Sequence, residues 1–216
     1  PISEELQSRS GVYQHVVVDE AQDVRVSQLK FFSALCGDQV DGLFFSGDIG
    51  QRIFQIPFSW KSLGVDIRGR SHILKVNYRT SHQIRRHADR LLPGVTADVD
   101  GVEQDRRGTV SVFNGPDPQI ETHQNLREEA EAIGRWIQSQ RDSGILAEEI
   151  GLFVRSNEQL DRARLYIELS DEEAQFVQPG DEVESEKIAV MPMHLAKGLE
   201  FKAVIVAACD EQVIPL

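Results

Sequence analysis

Cysteine is almost missing from this sequence: Cys36 and Cys209 are the two among 216 residues. Thiols so few and so far apart make neither a disulfide framework nor a metal knuckle. Each is expected to pack as a small apolar side chain, which fits a reducing cytoplasm. Long apolar runs are missing too. No stretch approaches the length that spans a bilayer, and no charged-then-apolar leader opens the chain, so a membrane partner is not expected. Positive charge is short: 23 Lys and Arg stand against 35 Asp and Glu, a net charge of −12. That balance argues against an indiscriminate grip on nucleic acid. The chain starts at Pro1 rather than Met and ends in the apolar Val213-Ile214-Pro215-Leu216, so both ends read as cuts through a longer protein.

What is present suffices for a core. Hydrophobic residues make up 40% of the chain, enough for one large or two small domains. Charge is uneven along it. From Lys61 to Arg90 there are eight Lys or Arg against Asp66 and Asp89. From Glu168 to Glu186 there are eight acidic residues and no Lys or Arg. The acidic run reads as a solvated loop, and the basic stretch as either solvated surface or a side facing a polyanion.

Apolar strands alternate with helical spacing. In the first half, strands are expected at 13–18, 42–46 and 72–76, with helices at 27–35 and from a Ser81 cap to 92. Pro93, Gly94, Gly101 and Gly108 mark a seam. The second half is expected to place strands at 109–113, 150–154, 187–191 and 203–207, with helices at 120–140 and 159–166. The acidic segment 168–186 is read as a loop or short hairpin. The economical architecture is two parallel α/β units, residues 1–95 and 109–216, joined by a linker at 96–108. Each strand ends in polar residues, at the edge where open α/β sheets bind ligands.

Four stretches carry candidate chemistry. Val16-Val17-Val18-Asp19-Glu20-Ala21-Gln22-Asp23 delivers adjacent carboxylates from a strand end. Phosphoanhydride hydrolysis has work for both: Asp19 suits a hydrated Mg²⁺, and Glu20 suits deprotonating the attacking water. In the second stretch, Gly47-Asp48-Ile49-Gly50-Gln51, a neutral amide follows a turn and is suited to bridging a phosphate and a water. The third, Asn77-Tyr78-Arg79-Thr80, sets a guanidinium and an aromatic ring after a strand. In the fourth, 191–201, a turn carries His194, Lys197, Gly198 and Glu200; its glycine lets backbone N–H groups approach phosphate. Each alone also has a plain reading as a strand-end cap or polar turn.

Together and in this order, the four stretches resemble the motifs of the UvrD/Rep/PcrA-like branch of superfamily one helicases. Asp19-Glu20-Ala21-Gln22-Asp23 resembles the Walker B motif, and the stretches at 47–51, 77–80 and 194–201 resemble the third, fourth and fifth motifs. The resemblance implies two RecA-like domains, the first incomplete, with ATP and Mg²⁺ in the cleft between them. It implies Asp19 at the metal, Glu20 as base, Gln51 as γ-phosphate sensor and Arg79 as arginine finger. Tyr78 would stack on adenine, and Gly198 and Glu200 would meet phosphate and ribose. Phe54, Arg155, Asn157 and His194 would face single-stranded or partly duplex DNA, with RNA left open. Repair or nuclease proteins are the implied partners.

The chain departs from that pattern. No Gly-x-x-x-x-Gly-Lys-Ser/Thr loop occurs in it. Ile56 and Pro57 stand where the family places a Trp-Arg pair. Trp60 either supplies the missing aromatic to DNA or packs in a core. Pro192 replaces a phosphate-contacting Thr. The short interval between Asn157 and Lys187 leaves no room for an accessory domain. Two rival readings follow: a helicase-like subunit without motor activity, and a metal-dependent nuclease or phosphatase built on Asp19, Glu20 and Asp23.

Overall fold

A computed structural model describes residues 12–37, 39–48, 58–91, 94–97, 99–101, 103–105 and 108–213. The chain divides into two compact units, Pro1–Gln119 and Ile120–Leu216. Both are mixed α/β and contain parallel sheets, the architecture expected of RecA-like helicase domains. No helix among the described residues is long and apolar enough to cross a membrane.

In the first unit β1 (Val16–Val18) pairs in parallel with β2 (Leu43–Phe45), and α1 (Val26–Cys36) connects them. Gln28 starts α1 by accepting the Arg25 N–H at 2.9 Å, and Gly37, at φ 58°, ends it. Val18, Ala21, Val24, Leu29, Trp60 and Val65 form the buried core, with Phe32, Phe45 and Phe58 packed against it. β1 is only half buried: Val17 and its register partner Phe44 are 72% and 63% exposed.

β3 (Val76–Asn77) is shorter than the strand expected at 72–76, and Leu74 is exposed. It pairs in parallel with β6 (Val110–Ser111) in two register pairs, and the Val110 N–H donates to the Lys75 carbonyl at 2.8 Å and the Val112 N–H to the Asn77 carbonyl at 3.1 Å. This pairing keeps β6 with β3 in the compact unit that ends at Gln119. The expected linker holds an antiparallel pair instead, β4 (Val95–Ala97) with β5 (Glu103–Asp105). Between β3 and that pair, α2 (His82–Ala88) starts at Ser81, whose hydroxyl accepts from the Ile84 N–H at 3.4 Å.

Among its described residues, the second unit holds a four-stranded parallel sheet in which β7 (Ile150–Val154) lies between β10 (Ala203–Val206) and β9 (Ile188–Pro192), with β8 (Ala174–Phe176) beyond β9. The acidic segment is therefore not a hairpin, because β8 inside it pairs in parallel with β9. β7 and β9 are buried throughout, as central parallel strands covered on both faces must be. Ile150, Leu152, Val154, Ile188 and Val190 pack with α3 (Leu126–Asp142) and α4 (Leu160–Glu168). Phe153, Ala189 and Met191 form the opposite layer with Leu199 and Phe201. α3 starts later than residue 120 because Asn125 caps it, accepting from the Glu128 N–H at 3.0 Å.

A polar network ties both helices to the chain leaving β10. Glu129 accepts from Arg162 at 2.5 Å and from the Tyr166 hydroxyl at 2.8 Å. It also accepts from the Ala208 N–H at 3.2 Å, and Arg162 pairs with Asp210. Burial, reinforced by Glu129, pushes the Tyr166 phenol up. Packing beside the network is tight. A Cβ on Gly134 of α3 would lie 2.8 Å from the Leu169 carbonyl oxygen at the end of α4. Gly134→Ala is expected to cost about 1–3 kcal/mol, read as a lower midpoint in chemical denaturation; an unchanged midpoint would refute this packing.

Candidate functional site

The register Val18↔Phe45 makes the chain leave β1 and β2 side by side at their carboxyl ends. The Ser46 N–H donates to the Val18 carbonyl at 2.9 Å, and the Ala21 N–H donates to the Ser46 carbonyl at 2.8 Å. This strap holds Asp19 and Glu20, both exposed, beside the Gly47-Asp48 turn. Asp19 Oδ1 accepts the Glu20 N–H at 2.9 Å. Glu20 adopts φ 51°, ψ 42°, a left-handed conformation rare for a non-glycine residue. It reverses the chain, so the next turn carries Ala21 and Gln22 inward.

Gln22 is 3% exposed. Its Nε2 donates to Glu20 Oε2, and its Oε1 accepts the Asp48 N–H at 3.0 Å. Gly47 makes room for that amide. A Cβ there would overlap Gln22 Oε1 and sit 3.0 Å from the Ala21 nitrogen. The sequence reading passed over Gln22 and Gly47 as individual residues. The signal was an amide within the carboxylate stretch, but its partner lies 26 residues away, beyond the reach of any local spacing rule.

Asn77 closes a side-chain turn at the end of β3. Its Oδ1 accepts the N–H groups of Arg79 and Thr80, both at 2.9 Å. Tyr78 is 74% exposed, and Arg79 is exposed beside it. Gln51 and Phe54, with Ile56 and Pro57, lie outside the described residues.

Trp60 is corrected. It is buried at 5% exposure, edge-on to Phe45 at 4.8 Å and stacked with Phe58 at 5.8 Å. An indole enclosed this way packs the core rather than offering a face to a base. Trp60→Ala is expected to destabilise the first unit by about 3–5 kcal/mol. Trp60→Phe is expected to leave single-stranded DNA affinity within about twofold, since each 1.4 kcal/mol is tenfold. A selective affinity loss in a Trp60→Phe protein of normal stability would reinstate the DNA contact.

In the second unit, β7 and β9 are neighbours with Val154↔Pro192 in register. Arg155 and Asn157 therefore leave the same sheet edge as His194, and all three are exposed. Ser156 donates through its N–H at 3.0 Å and its hydroxyl at 2.9 Å to Gln159 Oε1, which anchors the first exit. Gly198 takes φ 85° with open space around it, a conformation that favours glycine. Leu199 and Phe201 turn toward the buried layer while Gly198 and Glu200 stay exposed. Phe201 meets Phe153 edge-on at 5.7 Å.

Asp19 could serve as a magnesium donor. It offers a hard carboxylate at an exposed strand end, and Mg²⁺ takes one or two such groups with water and substrate phosphate. The described residues hold no group of three or more His, Cys, Asp or Glu able to enclose a metal.

Parallel α/β units whose strand ends carry carboxylates, amides and glycine turns belong to the class that binds ligands along the carboxyl edge of the sheet. Residues 2–60 match the UvrD/REP helicase N-terminal domain, and residues 166–216 match the UvrD-like helicase C-terminal domain. The chain belongs to the UvrD/Rep-like helicases. These are domains of a DNA helicase family that binds nucleic acid and in general uses ATP and Mg²⁺. No curated protein matches the chain.

Proposed function

We propose that this chain is part of a motor that couples ATP hydrolysis to movement along single-stranded DNA. The observation that carries the reading is the Asp19–Glu20 pair, strapped to the carboxyl end of β1 beside the turn that follows β2. Asp19 holds Mg²⁺. Glu20 takes the proton as the water oxygen bonds to the γ-phosphorus and the bond to the β-phosphate oxygen breaks, releasing ADP. Gln51 senses the γ-phosphate, and Arg79 meets the charge that develops on the transferring group. Tyr78 stacks on adenine, Gly198 approaches phosphate and Glu200 accepts from ribose. Phe54, Arg155, Asn157 and His194 contact the strand. Residues 1–95 and 109–216 serve as the two motor halves, joined by the linker at 96–108.

The reading requires a phosphate-binding loop that this sequence does not contain. The 216-residue chain alone is therefore expected to hydrolyse no ATP measurably, and robust magnesium-dependent turnover by it would refute this. In an ATPase-active polypeptide that carries the chain, Glu20→Gln is expected to lower DNA-stimulated kcat roughly 10²- to 10⁴-fold. Arg79→Ala is expected to lower it roughly 10²- to 10³-fold. Near-normal turnover in both variants would sink the motor reading. Ile56, Pro57 and Pro192, together with the buried Trp60, favour the alternative of a helicase-like subunit without motor activity. A polypeptide complete with the phosphate-binding loop that binds its partners yet shows no DNA-stimulated ATPase supports that alternative.

A further inference from the structure

We infer that Gln22 is a positioning residue for Glu20, locking its carboxylate to the Gly47-Asp48 turn. The inference rests on the reading of Glu20 as the base and adds a residue to that reading. Gln22 is 3% exposed, and both ends of its amide are engaged. Its partners dictate its orientation. An ionised carboxylate only accepts and a backbone N–H only donates, so Nε2 must face Glu20 and Oε1 must face Asp48. The glutamine amide meets both demands from one uncharged group, donating through Nε2 and accepting through Oε1.

Two further features fit this role. Glu20 sits in left-handed backbone at φ 51°, a conformation that persists only where surrounding contacts hold it. Gly47 leaves space that a Cβ would take from the Gln22 amide oxygen. The amide thus links the end of β1 to the turn after β2, and a shift of that turn would be felt at the carboxylate.

Gln22→Glu separates the two bonds. It keeps an acceptor for the Asp48 N–H and sets a second carboxylate against Glu20; Gln22→Leu removes both bonds. In an ATPase-active polypeptide carrying this chain, Gln22→Glu is expected to lower kcat roughly 10- to 100-fold, with KM for ATP changed less than about twofold. In the 216-residue chain, hydrogen exchange at the Asp48 amide is expected to stay slow in Gln22→Glu and to accelerate in Gln22→Leu. A parental kcat in Gln22→Glu, alongside an inactive Glu20→Gln, overturns the inference and leaves the Glu20 assignment standing. An active Glu20→Gln overturns both. Fast Asp48 exchange in the parent, or loss of Asp48 protection in Gln22→Glu, also overturns the inference.

Discussion

Parallel pairing of short strands is the constraint on which the rest of this structure depends. In a parallel pair all carboxyl ends lie on one edge, so residues distant in sequence leave the sheet together. β1 beside β2 brings Asp19 next to Ser46 and the Gly47-Asp48 turn. β7 beside β9 does the same for Arg155, Asn157 and His194. An antiparallel arrangement of the same strands would send these groups to opposite edges. The candidate chemistry is thus a consequence of strand direction before it is one of side-chain placement.

The two units meet this constraint differently. In the second, β7 and β9 are enclosed by a layer on each face, and the Glu129, Arg162, Tyr166 and Asp210 network fastens α3 and α4 to the exit from β10. Burial opposes the charge on Arg162, but the hydrogen bonds that the guanidinium donates to Asp210, Glu129 and Tyr166 outweigh burial and favour the charged form. In the first unit, the described core is a smaller aromatic cluster around Trp60, and Val17 and Phe44 stay exposed. Its candidate site depends less on enclosure and more on the strap, the left-handed turn at Glu20 and the buried Gln22 amide.

Strain and satisfaction balance at that turn. A left-handed non-glycine residue costs about 1–2 kcal/mol, and a buried amide costs more if either end is left without a partner. Here one arrangement answers both demands, because the reversal at Glu20 sends Gln22 inward to reach Glu20 itself and Asp48. Gly47 is required by the same geometry through close approach rather than through its own backbone angle.

Periodicity and end signals in the sequence determined the parallel α/β class, the strand at 150–154, the Ser81 cap and the carboxylate pair after β1, since these depend on local spacing and residue type. The ordered motifs also determined the helicase resemblance. What only tertiary structure decided lies in contacts between distant segments. The parallel β8–β9 pairing, the place of β6 beside β3, the enclosure of Trp60 and the Gln22 bridge are all of this kind. An apolar ring reads the same whether a core or a ligand covers it, and an amide does not announce its partner. Those outcomes depend on which surfaces the fold presses together.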